Sequence, residues 1–304
     1  MRTNTNRRIA AISSPPKEAA ASAILRGAAW MACAAAAWTA MTLLVRDLSA
    51  DYSAFQLLLM RNVVAVVILL PPAIRAGAAS LRTHRLGLHF LRAVLSYIGV
   101  LGLFFAIGRK MPLPEITAIS FTQPLFVVAM AALILKEAVG PARWRAVFLG
   151  FVGLMAILRP GFGEVGIATA AVLASAIGYA CANICVKRLL ATDTPNQSVV
   201  YFNVLMLPLA LAPALFFWTT PDAHDFLNMI GIGLCGTLTV YAFARSFAVA
   251  DASAVMPFDF LRLPFSALAA FLLFAESGDP WTWVGSAIIF ASSWILARSD
   301  RRVR

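Results

Sequence analysis

Asp259 and Arg262 stand three residues apart inside a long apolar run, on one face of any helix that run forms. An Arg at the centre of a membrane helix costs roughly 2.5–3.5 kcal/mol on insertion scales, so such residues face a protein interior or a wet cavity. Two readings of the pair stay open. The charges neutralise each other so that the helix inserts, or they form a dipolar patch for a charged or zwitterionic solute, with Asp259 able to carry a proton. Arg61, deep in another apolar run, has no such partner nearby in the chain. Arg92 and Arg245 lie nearer run ends, where a long side chain can also snorkel to headgroups. Trp38, Tyr97, Tyr179, Asn183 and Tyr241 are candidates for lining a central pathway, and Gln123 adds a polar group beside Pro124. Trp30, Trp144, Trp218 and Trp283 fall near run ends, as interfacial anchors do.

Prolines bracket the same places. Pro257 and Pro264 flank the charged pair, and Pro124 sits mid-run in an earlier segment. A proline removes one backbone hydrogen bond and kinks a helix, so these three are candidate hinges beside a cavity lined by freed carbonyls. The plainer alternative is that membrane helices tolerate proline.

Other chemistry finds little support. Gly161-Phe162-Gly163-Glu164-Val165-Gly166 fits a dinucleotide-binding spacing, but it follows Pro160 in a short connection with no preceding strand and reads as a turn. Cys181 and Cys185 are one helical turn apart, and with Cys33 and Cys235 they read as small packing residues. His84, His89 and His224 are scattered, so neither a metal nor a cofactor is expected. No H-E-x-x-H or G-x-S-x-G motif is present. An enzyme acting on lipid, or a purely structural subunit, remains the alternative to transport.

The elements that position these residues follow from composition. The chain has 304 residues, of which 61% are hydrophobic and 13% charged, with a mean hydropathy of +0.82. Soluble domains run at about 45–50% apolar and 25% charged. A spanning helix needs about 20 apolar residues, and ten apolar runs lie near 25–45, 54–72, 87–107, 114–135, 143–159, 166–186, 198–217, 227–249, 252–274 and 281–298. Their length and lack of alternation predict helices. Residues 1–24 read as a disordered tail, and 299–304 as a second short one. Proline pairs such as Pro71–Pro72 are expected to stop helices.

The net charge of +11 fits an orientation signal better than nucleic-acid binding, since Lys and Arg collect in cytoplasmic loops. With the N-terminus inside, nineteen of the 25 basic residues fall on the inner side, four on the outer, and Arg61 and Arg262 within spans. Both termini of this multi-pass membrane protein are therefore expected in the cytoplasm. The short loops leave no room for an ATP-driven pump.

An internal repeat divides the chain into 25–160 and 161–298. Glu137, Pro141 and Trp144 fall on Glu276, Pro280 and Trp283 at one constant offset, as Phe121, Phe151 and Arg159 fall on Phe260, Phe290 and Arg298. Five spans per half is an odd number, so the second half should enter the membrane inverted, the usual construction of alternating-access transporters.

On these residues the sequence resembles the drug/metabolite transporter superfamily, as two EamA domains. The likeness rests on Met60-Arg61-Asn62, Phe90-Leu91-Arg92, the run Ala118-Ile119-Ser120-Phe121-Thr122-Gln123-Pro124-Leu125-Phe126, Glu137, Arg143-Trp144 and Leu158-Arg159-Pro160-Gly161, then on Pro257-Phe258-Asp259-Phe260-Leu261-Arg262-Leu263 and Glu276. It implies an all-α membrane fold of ten helices around a central cavity, with helices five and ten set apart and available for a homodimer. Members move amino acids, S-adenosylmethionine, riboflavin, nucleotide-related metabolites or toxic cations, often outward. Ala275 departs from the family, where Gly is common before the glutamate. The expected partners are a small-molecule substrate and the bilayer.

Overall fold

The computed structural model describes residues 17–75, 77, 82–134, 140–158, 166–189, 191–249, 256–275 and 279–299. All the regular structure among them is helical. In the first half lie α1 (Lys17–Leu48), α2 (Ala54–Arg75), α3 (Leu86–Gly108), α4 (Leu113–Ser120), α5 (Gln123–Ile134) and α6 (Pro141–Leu158). The second half holds α7 (Ile167–Leu189), α8 (Pro195–Phe216), α9 (Ala223–Val249), a 3-10 turn (Met256–Leu261), α10 (Arg262–Phe274) and α11 (Pro280–Ser299). Seven stretches are long and apolar enough to cross a membrane: α1 from Ser22, α2, α3, α4 with α5, α7, α8 and α9. Helix also occupies the places of the remaining expected spans.

Three local expectations are corrected. Helix α1 begins at Lys17, so residues 17–24 extend the first helix rather than belonging to a tail. Pro71 and Pro72 do not end α2, which continues to Arg75. The fourth span is not one kinked helix; it breaks at Phe121–Thr122. Pro124 has no N–H to donate to the Ser120 carbonyl, the acceptor an unbroken helix would use. Instead the Thr122 hydroxyl donates to the Ile119 carbonyl at 2.6 Å, and Pro124 falls in the first turn of α5, where its missing N–H matters least. The ninth span changes in the equivalent place, from 3-10 to α at Leu261–Arg262, with Pro264 in the first turn of α10. The Gly161–Gly166 run, except for Gly166, and Glu137, Arg159 and Glu276 lie outside the described residues.

The packing carries the repeat further. Helix α1 packs on α9, and its counterpart α7 packs on α3; α2 packs on α8, and α6 on α11. Lesser contacts obey the same exchange, since α1 meets the 3-10 turn and α10 as α7 meets α4 and α5. Every one of these pairings maps onto itself or onto another when the halves are exchanged, as a two-fold axis requires. Phe121 and Phe260, repeat mates in sequence, stack at 4.3 Å between ring centroids, so they straddle that axis. Phe126–Phe151 and Phe260–Phe290 are edge-on beside them, at 5.4 and 4.5 Å. Helices α6 and α11 approach so closely that a Cβ on Gly285 would lie 2.6 Å from the Gly153 carbonyl oxygen.

Candidate functional site

Five helices and the 3-10 turn contribute to the region of the expected charged pair. Asp259 leaves the 3-10 turn, and its Oδ1 lies 2.7 Å from Nη2 of Arg262 in the first turn of α10. The distance makes an ion pair, although the alignment is too poor for an oriented hydrogen bond at that oxygen, and Arg262 Nε keeps an unused donor. The Arg262 guanidinium lies over the rings of Trp38 on α1 and Phe243 on α9, at 5.7 and 5.9 Å. A cation near an aromatic face gains from the ring quadrupole, most where water is excluded.

Arg61 reaches the same region from α2. Its Nε and Nη1 are buried and have no hydrogen-bond partner among the described residues. A buried donor left unmade costs about 1–3 kcal/mol, more when charged. Gly236 on α9 makes room for this guanidinium, since a Cβ there would stand 2.8 Å from Arg61 Nε and 3.2 Å from Met41 Sδ. Tyr179 on α7 lies within electrostatic reach of both Arg61 and Arg262, and its ring rests on Gly99 of α3. Trp38, Arg61, Tyr179, Asp259 and Arg262 thus form one group drawn from both halves.

The other candidates divide. Arg92 is committed elsewhere: its Nη1 donates to the Ser198 carbonyl and hydroxyl, both at 2.6 Å, and its guanidinium lies over Phe202 at 4.9 Å. It ties α3 to α8 rather than snorkelling to headgroups. Tyr241 is half-exposed and meets Trp30 edge-on at 6.0 Å, with Arg245 over the same indole at 5.8 Å. Asn183 is exposed on α7. Among the described residues no hydrogen bond, ion pair or ring contact joins these three to the central group. Tyr97 is partly buried against the core. Gln123 opens α5 at the break, and Pro124 follows it. Pro257 lies in the 3-10 turn.

Polar latches that sequence reasoning missed close the two ends of the bundle. At one end the Tyr52 hydroxyl donates to Asp225 Oδ2 at 2.7 Å, and the Gln56 side chain exchanges hydrogen bonds with the Thr219 backbone at 2.6 and 3.0 Å. At the other end Asp193 meets His89 at 2.8 Å and Thr83 at 2.5 Å, while Gln197 donates to the Arg82 carbonyl at 2.9 Å. Tyr52 and Asp193 occupy equivalent places, just before α2 and before its counterpart α8. Ser53 with Gln56, and Thr194 with Gln197, repeat the same S/T-x-x-Q pattern, and each hydroxyl accepts from the backbone N–H three residues on, at 3.3 Å. That pattern is a helix-start signature and was the available clue. Asn62 and Asn203 repeat likewise, each donating to the carbonyl four residues back.

The latches shift the acids and phenols they use. The hydrogen bond to Asp225, then burial and the charges of Asp225 and Asp222, push the Tyr52 phenol up to about 12. Burial alone would raise the Asp193 carboxyl, yet hydrogen bonds from Thr83, His89 and Thr192 and the His89 charge outweigh it and hold the group below the ordinary range. Asp222, His224 and Asp225 bring ligand atoms within 4.8 Å of one another, but Asp222 caps the start of α9 by accepting from the Asp225 N–H, and Asp225 holds Tyr52.

A bundle with two-fold packing and one charged, aromatic group between its halves fits a solute carrier. The EamA-like transporter family model matches residues 25–159 and again 166–298. The chain belongs to the EamA-like transporter family. It is 34% identical over 286 residues to the riboflavin transporter of Vibrio cholerae, covering 91% of this chain and 96% of that one. The riboflavin transporter of Rhizobium johnstonii is 33% identical, covering 77% of both chains. The S-adenosylmethionine uptake transporter of Rickettsia prowazekii is 25% identical over 91% of this chain and 94% of its own. A protein of known crystal structure, 17% identical, superposes with a TM-score of 0.62 over 93% of this chain and 99% of its own, a likeness of fold. This EamA protein is a multi-pass membrane transporter of small metabolites, and its relatives point to transport rather than catalysis.

Proposed function

We propose that this EamA protein carries riboflavin across the bacterial inner membrane by alternating access. The observation that carries the reading is the 34% identity to a riboflavin transporter over nearly the whole of both chains. The central group supports it. Trp38 and Phe243 supply aromatic rings, and Tyr179, Asp259 and the arginines supply polar groups, the composition expected of a small-molecule site.

The proposed architecture has ten spans in two inverted halves with both termini in the cytoplasm. Supporting it are the Lys/Arg distribution and the exchange symmetry of the packing. In that orientation the Tyr52–Asp225 latch closes the outer end and the His89–Asp193 latch the inner, and transport breaks them in turn. Proton coupling through Asp259 belongs to the same proposal. A homodimer would use the outward faces of α6 and α11, where Trp144 and Trp281 are exposed.

Growth of a riboflavin auxotroph that lacks its own uptake system tests the substrate. Expression of this chain should restore growth on micromolar riboflavin. Failure to do so, with the protein present in the membrane, would overturn the assignment; uptake of S-adenosylmethionine in its place would shift it to the other relative.

A further inference from the structure

We propose that Arg61 is the residue that reads the ring of the transported molecule, by donating from its guanidinium edge to the adjacent carbonyl and ring-nitrogen acceptors of a dioxopyrimidine. The inference rests on the reading that the substrate is a flavin. Within the central group, Asp259 is matched by Arg262 at 2.7 Å. Arg61 is left with a buried charge and two buried donors, Nε and Nη1, that meet no acceptor among the described residues. Gly236 packs directly against this side chain, since a Cβ there would stand 2.8 Å from Nε. Buried polar groups are nearly always satisfied, and one that is not marks a place where a further group belongs.

The missing group must bring acceptors and must not bring positive charge. A guanidinium offers planar N–H donors to acceptors in a ring plane, and a neutral flavin presents such acceptors on the edge of its pyrimidine ring. Trp38 and Phe243 lie beside this region and hold the Arg262 guanidinium over their rings. A cationic sulfonium compound would meet Arg61 as a like charge, so the same residue disfavours it.

The test uses the purified full chain in detergent, with riboflavin, its ring-only analogue lumiflavin, and the phosphate ester FMN as probes. Arg61→Met should weaken riboflavin and lumiflavin alike by at least about tenfold, the size of one charge-assisted hydrogen bond. Arg61→Lys should recover part of the loss. Hydrogen bonds to the ring carbonyls should shift the near-ultraviolet absorption of the bound flavin to the red, and that shift should vanish in Arg61→Met. Without ligand, Arg61→Met should melt at or above the wild-type temperature, because it removes an unmatched buried charge; a purely structural arginine would give the opposite.

Equal flavin affinity in wild type and Arg61→Met would overturn the inference and leave the proposed substrate intact. So would a loss confined to riboflavin, which would place Arg61 on the ribityl chain, or a loss confined to FMN, which would place it on the phosphate. If wild type binds neither riboflavin nor lumiflavin, the proposed substrate fails and this inference with it.

Discussion

Phe121 and Phe260 come from opposite halves of the chain and stack with their centroids 4.3 Å apart. They are sequence-equivalent, so a residue and its own repeat mate touch across the axis relating the halves. Helix breaks lie directly beside both rings, at Phe121–Thr122 and Leu261–Arg262. The stack therefore joins two interruptions of regular α-helix, one residue away from Asp259.

The two rings should be energetically coupled. Phe121→Leu and Phe260→Leu are each expected to lower stability, and the double variant should lose less than the summed losses by about 0.5–1.5 kcal/mol, the worth of an aromatic pair beyond its buried area. Denaturation of the four proteins in one detergent measures this. Strict additivity would mean that the stack contributes only buried surface.

The end latches make opposite predictions at opposite extremes of pH. The Asp193 carboxyl is held below its ordinary value, so its contribution is present above the unfolded pKa of about 3.9 and fades as pH falls through the lower folded value. Tyr52 is pushed up to about 12, so its contribution is complete below the unfolded value of about 10 and fades as pH rises through the folded one. Melting temperature against pH should thus be flatter in acid for Asp193→Asn and flatter in alkali for Tyr52→Phe. A variant that follows the wild-type curve in its own range would exclude that latch as a source of stability.

Ala275 ends α10 in the left-handed region, at φ +54°. A side chain there costs roughly 1–2 kcal/mol through the Cβ, partly offset by the greater freedom glycine has when unfolded. Ala275→Gly should therefore raise stability, by about 0.5–1 kcal/mol, with transport unchanged. A lower melting temperature in Ala275→Gly would contradict it.

Asp259→Asn tests proton coupling. In proteoliposomes carrying a pH gradient, wild type should accumulate substrate above its external level, whereas Asp259→Asn should only equilibrate it. Full gradient-driven accumulation by the variant would remove Asp259 from the coupling step. Binding measured without a gradient separates this from simple loss of affinity.

The membrane class, the helices, the family and the repeat were legible in the order of residues alone. Apolar runs of spanning length admit few other structures, because a backbone in lipid must satisfy its own hydrogen bonds. The repeat mates Phe121 and Phe260 could be paired by offset, and Asp259 with Arg262 by helical spacing. Sequence could not show that Arg61 belongs with them, that Arg92 is spent on Ser198, or that Tyr52 and Asp193 hold opposite ends. Those facts depend on partners 104 to 173 residues away in the chain. Local chemistry determined which elements form; only the packing of the two halves decided which costly polar groups find a partner among the described residues and which do not.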